Sequence, residues 1–508
     1  MIVSRPGYRV WFGVAVVVLV LLASAGCSAR IRNVPAPSAS ALQRPFTVMT
    51  TDRITVVDPA AVSDQGSMIL VENVFQRLTT SLPGQSQVAP GVWAYKPDLA
   101  QECSFPSTSA FVCTLRPDLT FSNGHPLTSA DVKFSIDRAI RLAVPGSSAS
   151  ALDSVQRIET PDARTVRFVL RRYDKQFGWA LAGPAASIVD HTVYSSDAIQ
   201  ARNAPIVGSG PFRVTALENN RLKLARFDRY QGRTPAQLSA LQVLTEPDSA
   251  SVESAMNDHR ADLVWRGLSP AALSRLANQV QVSTNRTTAA GFSQQVLPGA
   301  RVQQLRWNPG SDHRNNRALR AAVADTLQED RTLDSLVPPQ IPGHRAAFPV
   351  GGRPHATITW ANLIPLTLGF DPSVADGKRT ADQLRNQLEA TGGLSVQIRA
   401  DDHDADLQLE DRKAWTPTAI SWLQPLLEEP LRSSAATIRQ ADDQVRTGGP
   451  QAASSALTAL QTRAAEDKVV LPLTQQNEYI YTASGIKIMP TSFGPGWHLG
   501  LWGITRQL

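Results

Sequence analysis

From Cys113 to Arg138 the chain reads CTLRPDLTFSNGHPLTSADVKFSIDR, and its apolar positions predict a strand, a turn, a second strand and a capped helix. Asn123-Gly124 is a turn dipeptide, because Gly tolerates positive φ and Asn does so better than most residues. Thr128 stands three residues before Asp131, the spacing of a capping box. Val132, Ile136 and Ala139 then recur at i, i+4 and i+7, one apolar helical face. The same logic extends along the chain. PFTVMTT from Pro45 alternates as a strand, and Ser67 to Arg77 (SMILVENVFQR) predicts a helix. Val155 to Leu170 gives two strands around the Pro161-Asp162 turn. Val207-Gly208-Ser209-Gly210-Pro211-Phe212 suits a tight reversal entering a strand. VQQLRWNPG reads as a strand ending at Asn308, and Asn316 starts a helix that runs through Asp325. Thr380 to Ala390 is an amphipathic helix, stopped by Gly392-Gly393 and followed by the strand LSVQIRA.

The ends of the chain carry a different pattern. Residues 1–26 hold no acidic residue. Arg5 and Arg9 form a basic region, Val10 to Leu22 an apolar one, and Ala23-Ser24-Ala25-Gly26 precede Cys27. This is a signal peptide by pattern; the apolar run is short for a span of about 20 residues, a single anchor helix being the alternative. The small residues before Cys27 look like a bacterial lipobox, with Ser24 where Leu is usual. Processing would leave Cys27 acylated, each buried lipid CH₂ contributing about 0.8 kcal/mol of anchoring. Residues 27–45 are Pro-, Ala- and Ser-rich and read as a flexible tether. The expected location is the extracytoplasmic face of the cell membrane, as a palmitate-bearing lipoprotein.

Of the three cysteines, lipidation uses Cys27 and leaves Cys103 and Cys113. Export allows these two to pair as a disulfide across a Pro- and Ser-containing segment; two buried free thiols are the alternative. The formal charge of +6 falls to +4 when Arg5 and Arg9 leave with the signal peptide. No dense Lys/Arg run with interleaved aromatics occurs, which argues against nucleic-acid binding. The 508 residues suggest more than one core, at about 100–200 residues per domain.

Catalytic patterns are missing. There is no G-x-S-x-G elbow, no Walker A loop, and the His residues lack H-E-x-x-H or H-x-H spacing. Asp401-Asp402-His403-Asp404 invites a metal reading, against the blander one of a solvated acidic loop entering a strand. No enzyme, metal or cofactor is expected. Aromatics are the better binding candidates, since Trp supplies flat apolar walls. Trp307 beside Asn308, Trp265, Trp415 and Trp422 are the candidate ligand contacts, with Trp497 and Trp502 in a Gly-rich tail; core packing is the alternative for each Trp.

LRPDLTFSNGHPLTSADVKFSIDR closely resembles the motif of the family 5 extracellular solute-binding proteins, the dipeptide, oligopeptide and nickel receptors of ABC importers. The family writes roughly L-R-x-G-x-x-F-x-[DN]-G-x-P-[LFV]-T-A-x-D-V-x-[FY]-[ST]-[LI]-x-R. Here Asp118 replaces the usual Gly and Ser129 the usual Ala. Pro97-Asp98-Leu99-Ala100, residues 155–170, Gly208-Ser209-Gly210-Pro211-Phe212, Tyr230 with Gly232, Ala261-Asp262-Leu263 and residues 301–336 extend the resemblance to most of 46–490. It implies an α/β, two-lobed periplasmic-binding-protein-like fold, of the class with an extra domain, with a ligand cleft and hinge. One lobe would use 46–300 plus 470–508, with an inserted subdomain at about 76–195; the other would use 301–469. The implied partners are a peptide or other small polar solute and the permease and ATPase of an ABC importer, the receptor itself being a monomer. Residues 401–449 depart from this pattern. Peptide-binding members carry there a Trp-rich strand and an Asp that meets the peptide ammonium; this chain has DDHDADLQLEDRKAWTPTAISW, with no W-x-x-D. The alternative is therefore a non-transport envelope lipoprotein that reuses the fold for regulation or cell-wall assembly; an envelope hydrolase or metal-binding protein is a third reading.

Overall fold

Ten strands drawn from the start, middle and end of the chain join in one mixed sheet. The computed structural model describes residues 44–81, 87–89, 92–352, 363–489, 492 and 498–507; Cys27, the signal peptide and Trp497 lie outside the described residues. The main strands are β1 (Phe46–Thr50), β2 (Ala100–Ser107), β3 (Ala110–Leu115), β4 (Val155–Glu159), β5 (Thr165–Leu170), β6 (Phe212–Leu217), β7 (Arg221–Arg226), β8 (Ala240–Thr245), β9 (Leu263–Trp265), β10 (Ser293–Trp307), β11 (Ile364–Phe370), β12 (Leu394–Ala400), β13 (Leu407–Arg412) and β14 (Val470–Thr482). The main helices are α1 (Gln65–Val74), α2 (Ser129–Leu142), α3 (Ser249–Asn257), α4 (Pro270–Val282), α5 (Arg317–Thr326), α6 (Gly377–Glu389), α7 (Ala419–Glu428), α8 (Ala435–Thr447) and α9 (Pro450–Asp467).

The large sheet runs in the order β6-β7-β8-β1-β9-β14-β10-β13-β11-β12. β1 is parallel to both β8 and β9, and all its residues are buried, as expected of a strand covered on both faces. One core packs Phe46, Val48, Leu70, Phe111, Phe121 and Trp265 together. A second packs Val302, Leu305, Trp307, Leu319, Leu384 and Leu460. β10 serves both: Leu297 and Ala300 belong to the first core, Val302, Leu305 and Trp307 to the second. Its pairing with β14 breaks between Leu297 and Arg301, where Gly299 takes φ 64°. Because one sheet passes through both cores, Pro45–Gln507 form a single compact unit.

A separate antiparallel sheet, β2-β3-β5-β4, builds the inserted region. Cys103 and Cys113 face each other across β2 and β3 and are joined by a disulfide. α2 opens on a capping box between Thr128 and Asp131, with Val132, Ile136 and Ala139 buried. Asp118 sits at φ 54°, a left-handed conformation that Gly occupies at no steric cost; this is the position at which the family motif carries Gly. α1 spans Gln65–Val74 rather than Ser67 to Arg77. It starts early because Asp64 caps the Ser67 N–H. It stops at Val74 because Gly210 N–H donates to the Val74 carbonyl at 2.8 Å. A Cβ on Gly208 or Gly210 would run into that same carbonyl, so the Gly-Ser-Gly reversal is a close backbone approach.

Residues 401–449 are more regular than their sequence announces. The strand that the acidic loop 401–404 enters is β13 (Leu407–Arg412), and α7 and α8 follow. α7 contains Pro425, which cannot donate to the carbonyl of Ser421 four residues earlier. Arg412 Nη2 donates to that carbonyl instead, at 2.8 Å.

Candidate functional site

β1 and β9 are parallel neighbours, so their C-terminal ends leave the sheet on one side. In α/β sheets this is the edge at which ligands are commonly held. Beyond β1 come Thr51 and Asp52, and beyond β9 come Arg266 and Gly267. Arg266 is held at φ 57°, a conformation costing an L-residue about 1–2 kcal/mol. The strain aims its guanidinium at three carboxylates: Asp52 at 2.8 Å, Asp411 at 3.1 Å and Glu478 at 2.6 Å. Asp411 is the penultimate residue of β13 and Glu478 lies on β14, so the second half of the chain supplies both. Arg301, just past the β10 irregularity, pairs with Asp411 at 2.9 Å and forks onto Asp376 at the start of α6. Lys413 Nζ donates to Glu478 at 2.6 Å and to the Ala300 carbonyl at 3.0 Å. It also lies 5.7 Å from the centroid of the Trp265 ring, within cation–π range.

Three cations and four carboxylates are thus paired where the two cores meet, nearly all out of water. The surplus negative charge falls on Asp52. Burial pushes its carboxyl up to about 6, against the pull of Arg266 and with the push of Glu478 and Asp411. Burial also acts on Asp411, but Arg266, Arg301 and Lys413 hold it down to about 2. Burial lowers the Lys413 ammonium below its ordinary value, with Glu478 opposing. The space left among Thr51, Asp52, Arg266, Arg301, Asp411 and Glu478 is about 50 Å³. With one water needing about 10–15 Å³ of such space, it holds a few waters and no peptide. A larger, open concavity of about 1200 Å³ lies over β11, β12 and α6, between Thr367, Lys378, Arg385, Gln397, Arg399 and Asp406.

The residues singled out in the sequence fall in three places. Trp265 borders the junction through Lys413, and neither it nor Trp415 lines the junction space. Trp415 follows β13 yet packs in the first core, its ring parallel to His498 at 6.2 Å. Burial lowers His498 to about 4, keeping the imidazole neutral. Trp415 Nε1 and His498 Nε2 have no hydrogen-bond partner among the described residues. Trp307 and Trp422 are buried in the second core and do not line the junction space. Asn308 holds a loop, donating to the His403 carbonyl at 2.8 Å and accepting from Gly310 N–H at 2.9 Å. Asp401 and Asp402 are engaged by Arg53 and Arg399, which suits the acidic-loop reading. Among the described residues, the His and carboxylate donors close enough to share an ion lie elsewhere, at Asp131, Asp190 and His191. The charged residues of the junction escaped the sequence reading because they are scattered from position 52 to 478; only the Ala261-Asp262-Leu263 element and Trp265 pointed there.

A family model described as bacterial extracellular solute-binding proteins, family 5 Middle, matches residues 94–425. Among curated proteins, the probable D,D-dipeptide-binding periplasmic protein DdpA of Escherichia coli (strain K12) is 27% identical over 187 residues, 35% of this chain and 35% of that protein. The chain therefore aligns with about a third of that relative's length. Among solved structures, the binding protein AgaA of A. tumefaciens R10, in complex with agropinic acid, matches with TM-score 0.76 and 17% identity, covering 91% of this chain and 99% of that one. The dipeptide-binding protein of Pseudoalteromonas sp. SM9913, in complex with Met-Leu, matches with TM-score 0.74 and 14% identity, covering 91% and 100%. At these identities the likeness is one of fold: mixed α/β and two-lobed, of the periplasmic-binding-protein kind.

Proposed function

Because this chain belongs to the family 5 bacterial extracellular solute-binding proteins, we propose that it is a lipid-anchored receptor that binds a peptide or peptide-like solute between two lobes and delivers it to an ABC permease. Residues 46–300 with 470–508 make the first lobe, including the inserted subdomain at about 76–195, and 301–469 make the second. The observation that carries the reading is the junction: the C-terminal ends of parallel β1 and β9 meet charged groups of the other half, and in the first core Trp415 Nε1 and His498 Nε2 have no hydrogen-bond partner among the described residues. β10 and β14 cross between the lobes, and the break at Gly299 is the natural hinge. A space of about 50 Å³ is too small for a solute, so loading requires the lobes to part and reclose, the closed form being what a permease recognises. Trp265 and Trp415 are the aromatic walls of the opened site. Binding and release, without bond making, is the whole of the proposed chemistry.

Ligand binding to the native state alone raises stability by RT ln(1 + [L]/Kd), about 2.7 kcal/mol at a hundredfold excess over Kd. A melting-temperature screen against a broad library of short peptides should find at least one that raises Tm. If none does, the peptide reading fails. Anchoring is checked separately: Cys27→Ala should release the protein to the medium or leave it uncleaved. The second reading, a non-transport envelope lipoprotein, is favoured by one feature, the internally paired junction in which Lys413 already answers Glu478. It predicts that no solute of any class raises Tm.

A further inference from the structure

His125 and His191 are half-exposed imidazoles in the inserted region, and each turns Nδ1 toward a carboxylate that is itself buried. His125 Nδ1 lies 2.7 Å from Asp190 Oδ2, and His191 Nδ1 lies 2.6 Å from Asp131 Oδ1. The histidine side chains are 54% and 50% exposed, those of Asp190 and Asp131 only 1% and 2%. Donor atoms of Asp131, Asp190 and His191 lie within 4.8 Å of one another; His125 meets Asp190 alone of the three and stands outside that cluster.

Each carboxylate has one oxygen fixed by the backbone and one turned to an imidazole. Asp131 Oδ2 accepts the Thr128 N–H at 2.8 Å and its hydroxyl at 3.1 Å, completing the α2 cap. Asp190 Oδ1 accepts the Thr192 N–H at 2.9 Å and its hydroxyl at 2.7 Å. Asn123 Nδ2 steadies the other oxygen of Asp190 from 2.7 Å. Such outer contacts are what orient the ligands of a metal ion.

We propose that Asp131, Asp190, His125 and His191 form a binding site for a first-row divalent cation of the Zn²⁺ class, unrelated to the solute site. Two imidazole nitrogens and two carboxylate oxygens are donors such ions accept. The two carboxylates balance the dication, so no uncompensated charge is buried. With metal–donor distances of about 2.0–2.2 Å, neighbouring donors on a tetrahedral ion stand about 3.3 Å apart. Each close nitrogen–oxygen spacing must open by about 0.6 Å, and the His125 ring must swing inward toward Asp131 and His191, rotations open to half-exposed imidazoles, which then carry their protons on Nε2. The ion would tie the start of α2 to the 120–126 turn and the 190–192 loop.

Titrating the full chain, free of any polyhistidine tag, with Zn²⁺ should give one bound equivalent and a higher Tm. Co²⁺ should give the intense visible absorption of a tetrahedral site. His125→Ala and His191→Ala should each weaken Zn²⁺ binding at least about tenfold, the least seen when even an outer partner is lost. His125→Gln and His191→Gln replace them if the alanine variants melt low without metal. No binding by the parent, an octahedral Co²⁺ spectrum, or binding unchanged in either variant overturns the site.

Discussion

Asp52 is buried between Arg266 and a surplus of carboxylates, and its behaviour with pH follows from that position. An aspartate titrates near 3.9 in an unfolded chain, whereas burial holds Asp52 at about 6 in the fold. Between those values the native state binds the extra proton, so stability falls as pH rises. A displacement of that size corresponds to about 3 kcal/mol, present in full below pH 4 and lost as pH passes 6. Asp52→Asn removes this titration. Urea unfolding at pH 4 and pH 7.5 should therefore move the parent-minus-variant difference by up to about 3 kcal/mol, with the variant gaining at the higher pH. An unchanged difference would mean that Arg266 alone sets the ionisation of Asp52. Little of this was legible in the sequence. Asp52 is a lone carboxylate after a strand, and its partners lie more than two hundred residues away. Asp118, by contrast, could be read locally: a residue where the family motif carries Gly marks a left-handed position, and the backbone is left-handed there.

α7 shows how an element can form against its own local chemistry. Pro425 removes an N–H and strands the Ser421 carbonyl, and Arg412, the last residue of β13, supplies the missing donor. Arg412→Met should cost roughly 1–3 kcal/mol, the penalty of a buried acceptor left unpaired. Pro425→Ala restores the N–H, so in that background the same Arg412 change should cost clearly less. Chemical denaturation of the four proteins of the cycle reads the coupling, and additive effects would sink the explanation. The helix was hidden in the sequence because a Pro inside an apolar run reads as a break, and its compensation comes from another element. α2 was legible for the opposite reason: cap, acidic N3 residue and apolar face all lie within twelve residues, 128–139. α1 was legible in place but not in extent, because what ends it is the Gly208–Gly210 loop more than a hundred residues on. The strand of residues 401–449 was found only roughly, since its neighbours β10 and β11 fix its register.

In the molecule as a whole, two cores share one sheet, and the charged junction decides how firmly they are held together. Asp411 is the central group of that junction, accepting from Arg266 at 3.1 Å and from Arg301 at 2.9 Å. Breaking a buried pair by removing one charge costs about 3–5 kcal/mol, because the partner stays buried and uncompensated. Two responses are open to the protein: it can unfold more easily, or it can let the lobes part so that both guanidiniums reach water. On the proposed hinge, the second pivots at the β10–β14 crossing, where the ladder is already interrupted at Pro298-Gly299; it must also draw Trp415 out of the first core and release the buried Arg446–Asp174 pair. Asp411→Asn should therefore raise the radius of gyration measured by small-angle scattering, with secondary structure by circular dichroism unchanged. Equal radii in parent and variant, with a large fall in Tm, would mean that the junction is part of one rigid body and no hinge lies there. On the proposed receptor reading, a larger radius also predicts that the variant takes up a cognate solute faster than the parent, since the proposed opening step has become easier.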